Sequence, residues 1–159
     1  MRFSNHYIKP ALFLGFGVML ADQLSKWWLV NTIMQPPHAV AVAPFFNLVL
    51  VRNKGVTFGL LNTINRDIMP YVLAAVAGGI LLVLGRWLWR THSKLVAYGL
   101  GLVMGGAVGN ILDRIREGAV VDFLDFYYQN HHWFAFNIAD AAIVTGVSLL
   151  VFDSLVRAR

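Results

Sequence analysis

Four long apolar segments constrain the fold of this chain more than any other feature. They cover residues 10–30, 68–88, 95–112 and 138–156 of a 159-residue sequence. An α-helix needs about 20 residues to cross a hydrocarbon core of ~30 Å, because it rises ~1.5 Å per residue. Apolar residues make up 58% of the sequence, which is typical of integral membrane proteins and excludes an ordinary soluble domain. We therefore predict an all-α polytopic membrane protein with four transmembrane helices in a single domain, residues 1–159.

The positive charge of the chain is explained by membrane topology. The sequence has 13 Lys and Arg against 8 Asp and Glu, a net charge of +5. These cations stand at the ends of apolar segments and form no stripe of the kind that binds nucleic acid, so we predict no nucleic-acid partner. They are densest at the N-terminal flank, in the short link between the second and third segments, and at the C-terminal tail. Because cytoplasmic loops carry an excess of Lys and Arg, both termini should be cytoplasmic.

Metal and cofactor chemistry has little support in the sequence. The absence of cysteine excludes a disulfide framework, a thiolate metal site and a cysteine nucleophile. The five histidines lack metal-ligand spacing, and we find no phosphate-cradling glycine loop or nucleotide-binding fingerprint. We predict no metal and no cofactor.

Two segments between the apolar runs predict structure outside the membrane. The β-prone runs 45–51 and 56–61 flank an Asn-x-Gly turn from Asn53 to Gly55, which indicates a small extracytoplasmic β-sheet platform at about residues 42–62. Residues 114–135 are rich in aromatic side chains, which suit the interface between water and lipid. We interpret this second segment as a short interfacial helix.

Asp122 and Asp140 are the first candidates for chemistry. A carboxylate beside a membrane-grade apolar stretch is costly and is usually functional. Asp140 begins the fourth segment and Asp122 lies in the short connection before it, so the chain brings both to one membrane edge. Two close carboxylates can share one proton and act as an acid and a base, as in an aspartyl dyad. A simpler alternative is that Asn137 and Asp140, at N-cap and N3 spacing, only satisfy the first N–H groups of the helix.

A row of small residues in the third segment places a polar group inside the bundle. The row, here called the small-residue ridge, recurs every four positions and consists of Ala97, Gly101, Gly105 and Gly109. Such a ridge lets another helix approach closely. Asp113 is its next member, with Asn110 and Arg114 beside it one helical turn apart. Two interpretations are open: a structural polar knot in which Arg114 neutralises a nearby aspartate, or direct participation in chemistry.

Asp22 and Lys26 have the i, i+4 spacing of an ion pair within one helix. In the alternative interpretation, Lys26 extends to lipid phosphate while Asp22 receives a hydrogen bond from Arg114 or from the outer sheet. The sequence does not choose between them.

Five ordered motifs together resemble the bacterial lipoprotein signal peptidases, the signal peptidase II family, over nearly the whole chain. They are Asp22-Gln-x-Ser-Lys26, Arg52-Asn-Lys-Gly-Val-Thr-Phe58, Gly105-Gly-Ala-Val-Gly-Asn-x-x-Asp-Arg114, Val120-Val-Asp-Phe123 and Phe136-Asn-Ile-Ala-Asp140. One departure is that Val56, Thr57 and Gly59 stand where the family often has small residues.

The resemblance implies an intramembrane aspartyl endopeptidase of the bacterial inner membrane that removes signal peptides from prolipoproteins, cutting before a diacylglyceryl-modified cysteine. Its expected partners are those precursors and membrane lipids, and we expect a monomer whose active site lies near the extracytoplasmic face. The family's catalytic aspartates fall on Asp122 and Asp140. The supporting or substrate-binding positions fall on Asp22, Lys26, Asn53, Gly55, Asn110, Asp113, Arg114 and Asn137.

Two other functions remain compatible with the residues. A transporter or proton-coupled channel could relay ions through buried carboxylates, although a transporter should carry charge near the membrane midplane on broken helices. A membrane scaffold that binds lipoproteins without cleaving them is the third possibility.

Overall fold

The computed structural model describes residues 6–55 and 67–157 of the chain. Within these ranges lie four α-helices and four β-strands. The helices are α1 (Ile8–Trp28), α2 (Met69–Arg90), α3 (Lys94–Glu117) and α4 (Ile138–Arg157). The strands are β1 (Val40–Ala43), β2 (Phe46–Asn53), β3 (Val120–Tyr128) and β4 (His131–His132). A single π-helical turn, Leu29–Ile33, follows α1.

Helix α3 is the centre of the bundle and packs against α1, α2 and α4. Its small-residue ridge lets another helix approach closely, as predicted, and that helix is α1. A Cβ atom on Gly101 would lie 2.5 Å from the carbonyl oxygen of Ala11, and one on Gly105 would overlap the backbone of Gly15. On another face, a Cβ atom on Gly106 would overlap the backbone of Ala139 in α4. Helix α3 therefore approaches the backbones of α1 and α4 closely, while Leu88 of α2 packs with Val96 and Leu100 of α3 in a hydrophobic cluster.

The outside of the bundle is apolar. Large hydrophobic side chains are exposed along α1, α2 and α4, among them Phe13, Leu82 and Phe152. In the described part of the chain, three helices are long and apolar enough to cross a membrane: α2, α3 and α4. Helix α1 coincides with the first predicted segment and carries Asp22 and Lys26 in its last two turns, where both are buried.

The helix boundaries follow local capping signals. Ser93 begins α3 by accepting a hydrogen bond from the N–H of Val96 at 3.4 Å. The helix continues beyond the predicted end at residue 112 to Glu117, where Gly118 adopts the left-handed conformation with φ of 64°. Glycine ends helices in this way because it has no Cβ atom, and the chain turns there into β3.

The strands form one antiparallel sheet in the order β1-β2-β3-β4. This confirms a small sheet, although its first strand begins at Val40. The apolar run that starts at Phe45 forms most of β2, which pairs with β1 on one side and β3 on the other. The second predicted run, residues 56–61, lies outside the described residues, as do Val56, Thr57 and Gly59.

The predicted interfacial helix at 114–135 is wrong. After the end of α3, the segment forms β3 and β4. Residues 120–128 are mostly Val, Phe, Leu and Tyr, which favour strands, and β2 supplies the partner for their backbone. Phe126 also stacks on Phe46 with ring centroids 4.7 Å apart. Of the aromatic residues that suggested a membrane interface, Phe126 and Tyr127 stack across strands, whereas Tyr128, Trp133 and Phe134 are exposed.

The return from the sheet to α4 sets the position of the site. The N–H of Phe136 donates to the carbonyl oxygen of Leu124 at 3.1 Å, and the N–H of Leu124 donates back at 2.8 Å. This pairing holds the chain beside β3 just before Asn137. The first turn of α4 therefore begins next to Asp122.

Candidate active site

Asp122 lies on β3 with only 2% of its surface exposed. Its Oδ1 accepts a hydrogen bond from Asn137 Nδ2 at 2.7 Å, and its Oδ2 accepts one from Asn53 Nδ2 at 3.0 Å. Burial raises the pKa of the Asp122 carboxyl above its ordinary value, and the nearby charge of Asp140 raises this pKa further against the opposing effect of the two amides. Asp122 is therefore disposed to hold a proton.

Asp140 is half-buried in the first turn of α4 and takes part in reciprocal capping with Asn137. The N–H of Asp140 donates to Asn137 Oδ1 at 2.9 Å, and the N–H of Asn137 donates to Asp140 Oδ2 at 3.3 Å. The capping interpretation is thus confirmed. It does not account for the other carboxylate oxygen, Oδ1, which accepts a hydrogen bond from Asn110 Nδ2 at 2.8 Å.

Asn137 connects the two aspartates. This residue is fully buried, its side chain donates to Asp122, and its backbone and side chain pair with Asp140. The two carboxylates therefore share one neighbour at one end of the bundle. Among the described residues, neither forms an ion pair with Lys or Arg, and every carboxylate oxygen accepts an N–H donor.

A second group of charges lies behind this pair. Lys26 Nζ lies 2.8 Å from Asp22 Oδ2 and 2.6 Å from Asp113 Oδ2, and all three side chains are buried. The ion pair predicted between Asp22 and Lys26 is confirmed. The predicted extension of Lys26 to lipid phosphate is wrong, because its ammonium is buried between the carboxylates of Asp22 and Asp113.

The predicted partners of Asp22 and Asp113 need correction. Asp22 Oδ1 accepts the N–H of Ala139 at 3.0 Å and so caps α4 from a neighbouring helix, in place of a bond from Arg114 or the sheet. Asp113 points into the bundle as predicted, but its cation is Lys26 and not Arg114. Arg114 instead donates from Nη1 to the carbonyl oxygen of Asn110 at 3.2 Å, and its positive charge acts on Asp113, Asp122 and Asp140.

Comparison with known proteins identifies the kind of enzyme. The family model described as signal peptidase (SPase) II matches residues 14–156. The chain belongs to this signal peptidase II family. The lipoprotein signal peptidase of Methylocella silvestris is 42% identical over 142 residues, covering 89% of this chain and 82% of the relative. That of Nitrobacter hamburgensis is 38% identical over 156 residues, covering 94% of each chain.

Two solved structures, both described as bacterial membrane enzymes, have the same fold. One was determined at 1.9 Å and superposes with a TM-score of 0.79 at 27% identity, covering 95% of this chain and 96% of the other. The second, at 2.3 Å, gives a TM-score of 0.78 at 26% identity over 95% and 90% of the two chains. The chain is thus a bacterial membrane protein and a peptidase of the aspartic type, and not the transporter or scaffold considered above.

Two further features of this signal peptidase II site involve Gly55 and Gln23. Gly55 has a φ of 78°, a conformation that favours glycine, and its N–H donates to Asn53 Oδ1 at 2.8 Å. It thereby holds the Asn53 side chain against Asp122. Gln23, which the sequence did not single out, donates from Nε2 to Asp113 Oδ1 at 2.8 Å and to the carbonyl oxygen of Gly109 at 3.2 Å. Gln23 could have been predicted as a site residue from its position between Asp22 and Lys26 in the first motif.

No resident metal is suggested by the side chains that the structure describes. Within residues 6–55 and 67–157, no three His, Cys, Asp or Glu side chains cluster in a way that could hold a metal ion. The polar groups beside Asp122 and Asp140 are the side-chain amides of Asn53, Asn110 and Asn137.

Proposed function

We propose that this chain removes signal peptides from prolipoproteins as an intramembrane aspartyl endopeptidase, cutting before the diacylglyceryl-modified cysteine, with Asp122 and Asp140 as its catalytic dyad. The observation that supports this assignment most strongly is the contact of Asn137 with both carboxylates. Membership of the signal peptidase II family supports the reaction and the substrate class.

The two aspartates have different tasks in this mechanism. Asp122 is buried on a strand and its pKa is raised, so it holds the shared proton. Asp140 lies at the N-terminus of α4, where the helix dipole favours a negative charge, so it is the base. Asp140 removes a proton from a water that attacks the scissile carbonyl carbon, while Asp122 donates its proton to the carbonyl oxygen. The product of this step is a neutral tetrahedral diol, and no covalent acyl-enzyme forms.

Collapse of the diol completes the cycle. The carbon–nitrogen bond breaks, and the leaving amine of the cysteine takes the proton that Asp140 received from water. One hydroxyl proton of the diol returns to Asp122. The dyad is then restored with one proton, and the products are a carboxyl-terminated signal peptide and a free amino terminus on the lipidated cysteine.

Arg114 is a candidate for binding the substrate backbone. Its Nε is buried and has no hydrogen-bond partner within the described ranges, although buried donors are nearly always satisfied. Its Nη1 donates to the carbonyl oxygen of Asn110, and the side chain of Asn110 donates to Asp140, which supports a role for the guanidinium beside the proposed dyad. We assign the unused N–H to a carbonyl oxygen of the bound precursor, and the exposed part of Asn53 to a similar contact.

In the membrane, we place all four helices as transmembrane spans of one domain covering residues 1–159. Helix α1 has 21 residues, enough to cross the hydrocarbon core, and exposes Phe13, Phe16 and Trp27 to lipid. Its buried Asp22 and Lys26 neutralise each other. With four spans, both termini are cytoplasmic, and the dyad lies near the extracytoplasmic face of the inner membrane of a monomer.

Reporter fusions test this topology. A fusion after His92 should report the cytoplasm, since the link between α2 and α3 is flanked by Arg90 and Lys94. A fusion within residues 62–66 should report the exported side. The reverse pattern would place the dyad inside the cell and contradict the proposed function.

Cleavage of a lipidated precursor tests the dyad. Asp122→Asn and Asp140→Asn should each reduce the rate by at least ~10²-fold, the usual contribution of a general acid or base. Asp153→Asn is the matched control, because Asp153 lies on the same helix as Asp140, about 20 Å away at ~1.5 Å per residue, and pairs with Arg157. Its rate should equal that of wild type. Residual cleavage above about a hundredth of the wild-type rate in either dyad variant would reject the assignment.

A further inference from the structure

Three asparagines surround the two carboxylates, and each has its amide oxygen held by a group that can only donate. Asn53 Oδ1 accepts the N–H of Gly55 at 2.8 Å, and Asn137 Oδ1 accepts the N–H of Asp140 at 2.9 Å. Asn110 Oδ1 accepts Lys26 Nζ at 3.2 Å. A side-chain amide has one acceptor oxygen and one donor nitrogen. Fixing the oxygen therefore fixes the direction of the NH2 group.

All three NH2 groups point at Asp122 or Asp140. The nitrogens of Asn53 and Asn137 donate to Asp122 at 3.0 and 2.7 Å, and that of Asn110 donates to Asp140 at 2.8 Å. Hydrogen bonds donated to a carboxylate favour its ionised form. A reversed amide would instead present an oxygen to the carboxylate and disfavour ionisation.

Asn110 differs from the other two in the origin of its donor. Asn53 and Asn137 are oriented by backbone N–H groups two and three residues along the chain. Asn110 is oriented by an ammonium on a different helix, α1. The Asn137 NH2 group also reaches Asn110 Oδ1, at 3.2 Å, but it is shared with Asp122 and with the carbonyl oxygen of Val121. Lys26 is the charged and therefore the stronger donor.

We infer that Lys26 is a positioning residue for the proposed dyad: its ammonium orients the Asn110 amide so that the NH2 group faces Asp140. This inference rests on the proposed function. Asp22 and Asp113 hold Lys26 in place, and Lys26 orients Asn110. Asn110 in turn donates a hydrogen bond to Asp140, the proposed base.

Lys26 could also act only by stabilising the fold, so the variant must distinguish this structural role from the positioning role. Lys26→Met alone would leave two buried carboxylates without a cation. Asp22→Asn combined with Lys26→Met removes one charge of each sign and leaves the net charge facing Asp140 unchanged. That charge comes from Asp22 and Lys26 on α1, Asp113 and Arg114 on α3, and Asp122 on β3. The amide that replaces the Asp22 carboxylate keeps an oxygen for the N–H of Ala139.

The measurement is the pH dependence of kcat/KM on a lipidated precursor, made on folded detergent-solubilised enzyme. In the double variant, the acid limb should move to higher pH by about one unit, a tenfold loss of activity on that limb. KM should be unchanged, because Lys26 does not reach the substrate. Lys26→Arg, which keeps a donor-only cation, should retain the wild-type position of the acid limb.

The matched control is Asp153→Asn with Arg157→Gln, which removes an ion pair at the other end of α4 and should leave the profile unchanged. If the double variant fails to fold, Asp113→Asn combined with Lys26→Met also removes one charge of each sign and leaves Asp22 its hydrogen bond from the N–H of Ala139, and the same upward movement is expected. An acid limb at the wild-type position, with only the melting temperature lowered, would overturn the inference. Full activity of Asp140→Asn would reject the proposed dyad instead, so the two failures are distinguishable.

Discussion

The two pairs of carboxylates at this end of the bundle differ in what neutralises them. Asp22 and Asp113 share the ammonium of Lys26 at 2.8 and 2.6 Å. Within the described ranges, Asp122 and Asp140 receive only amide and backbone N–H donors. The first pair therefore depends on one buried cation, whose removal would leave two buried carboxylates unpaired. The second pair has no such cation, which suits the proton exchange that we propose for it. Burial alone does not distinguish the two pairs, whereas the presence of a paired cation does, and we propose that this difference separates structural from catalytic aspartates.

The largest stability effect should come from removing the shared cation. Lys26→Met leaves two buried carboxylates unpaired and should lower the free energy of unfolding by roughly 3 to 5 kcal/mol. Lys54→Met is the matched control, because Lys54 pairs with Asp67 at 3.4 Å with both side chains more than half exposed. That pair should contribute about 1 kcal/mol or less. Equal denaturation midpoints for the two variants would contradict the comparison.

A smaller effect should follow from crowding the first pair. A Cβ atom on Gly109 would lie 2.7 Å from Asp22 Oδ2, and Asp22 is fixed by Lys26 and Ala139. Gly109→Ala should therefore destabilise the protein by about 1 to 3 kcal/mol. Gly78→Ala, where the described structure offers no neighbour within 4 Å, should instead gain ~0.5 to 1 kcal/mol from helix propensity. Thermal unfolding of both variants in the same detergent measures the difference, and a loss at both positions would remove the steric explanation.

The smallest effect should come from an exposed pair. Arg52 lies 2.9 Å from Glu117, and both side chains are about half exposed. Glu117→Gln should change the free energy of unfolding by less than about 1 kcal/mol, with less effect still at high salt. The measurement is the free energy of unfolding as a function of salt concentration. If Glu117→Gln lowered it as much as Lys26→Met does, burial would not be what distinguishes the ion pairs of Lys26.

Local signals in the sequence predicted much of this site. Apolar length located the four helices, the four-residue period of the small-residue ridge placed Asp113 inside the bundle, and the spacing of Asn137 and Asp140 predicted their reciprocal capping. Each of these signals lies within one continuous segment of the chain, where spacing along the helix determines geometry.

Contacts between segments that are distant in the sequence were not predicted. Lys26 was predicted to pair with Asp22 four residues away, but its bond to Asp113 depends on how α1 packs against α3. The strand at Val120–Tyr128 was also missed, because its pairing with β2 is non-local and its aromatic residues fitted an interfacial helix equally well. The orientation of the Asn110 amide likewise requires the positions of three separate segments.

Comparing Asp113→Asn with Asp140→Asn in one preparation tests whether the carboxylates paired with Lys26 and those of the proposed dyad have different roles. Melting temperature in detergent and turnover of a lipidated precursor per folded molecule should be measured for both. Asp113→Asn should lower the melting temperature while keeping turnover within about tenfold of wild type, a barrier change below ~1.4 kcal/mol. Asp140→Asn should stay folded and lose at least ~10²-fold in turnover. An Asp113→Asn variant with an unchanged melting temperature and turnover as low as that of Asp140→Asn would contradict the division between the two pairs.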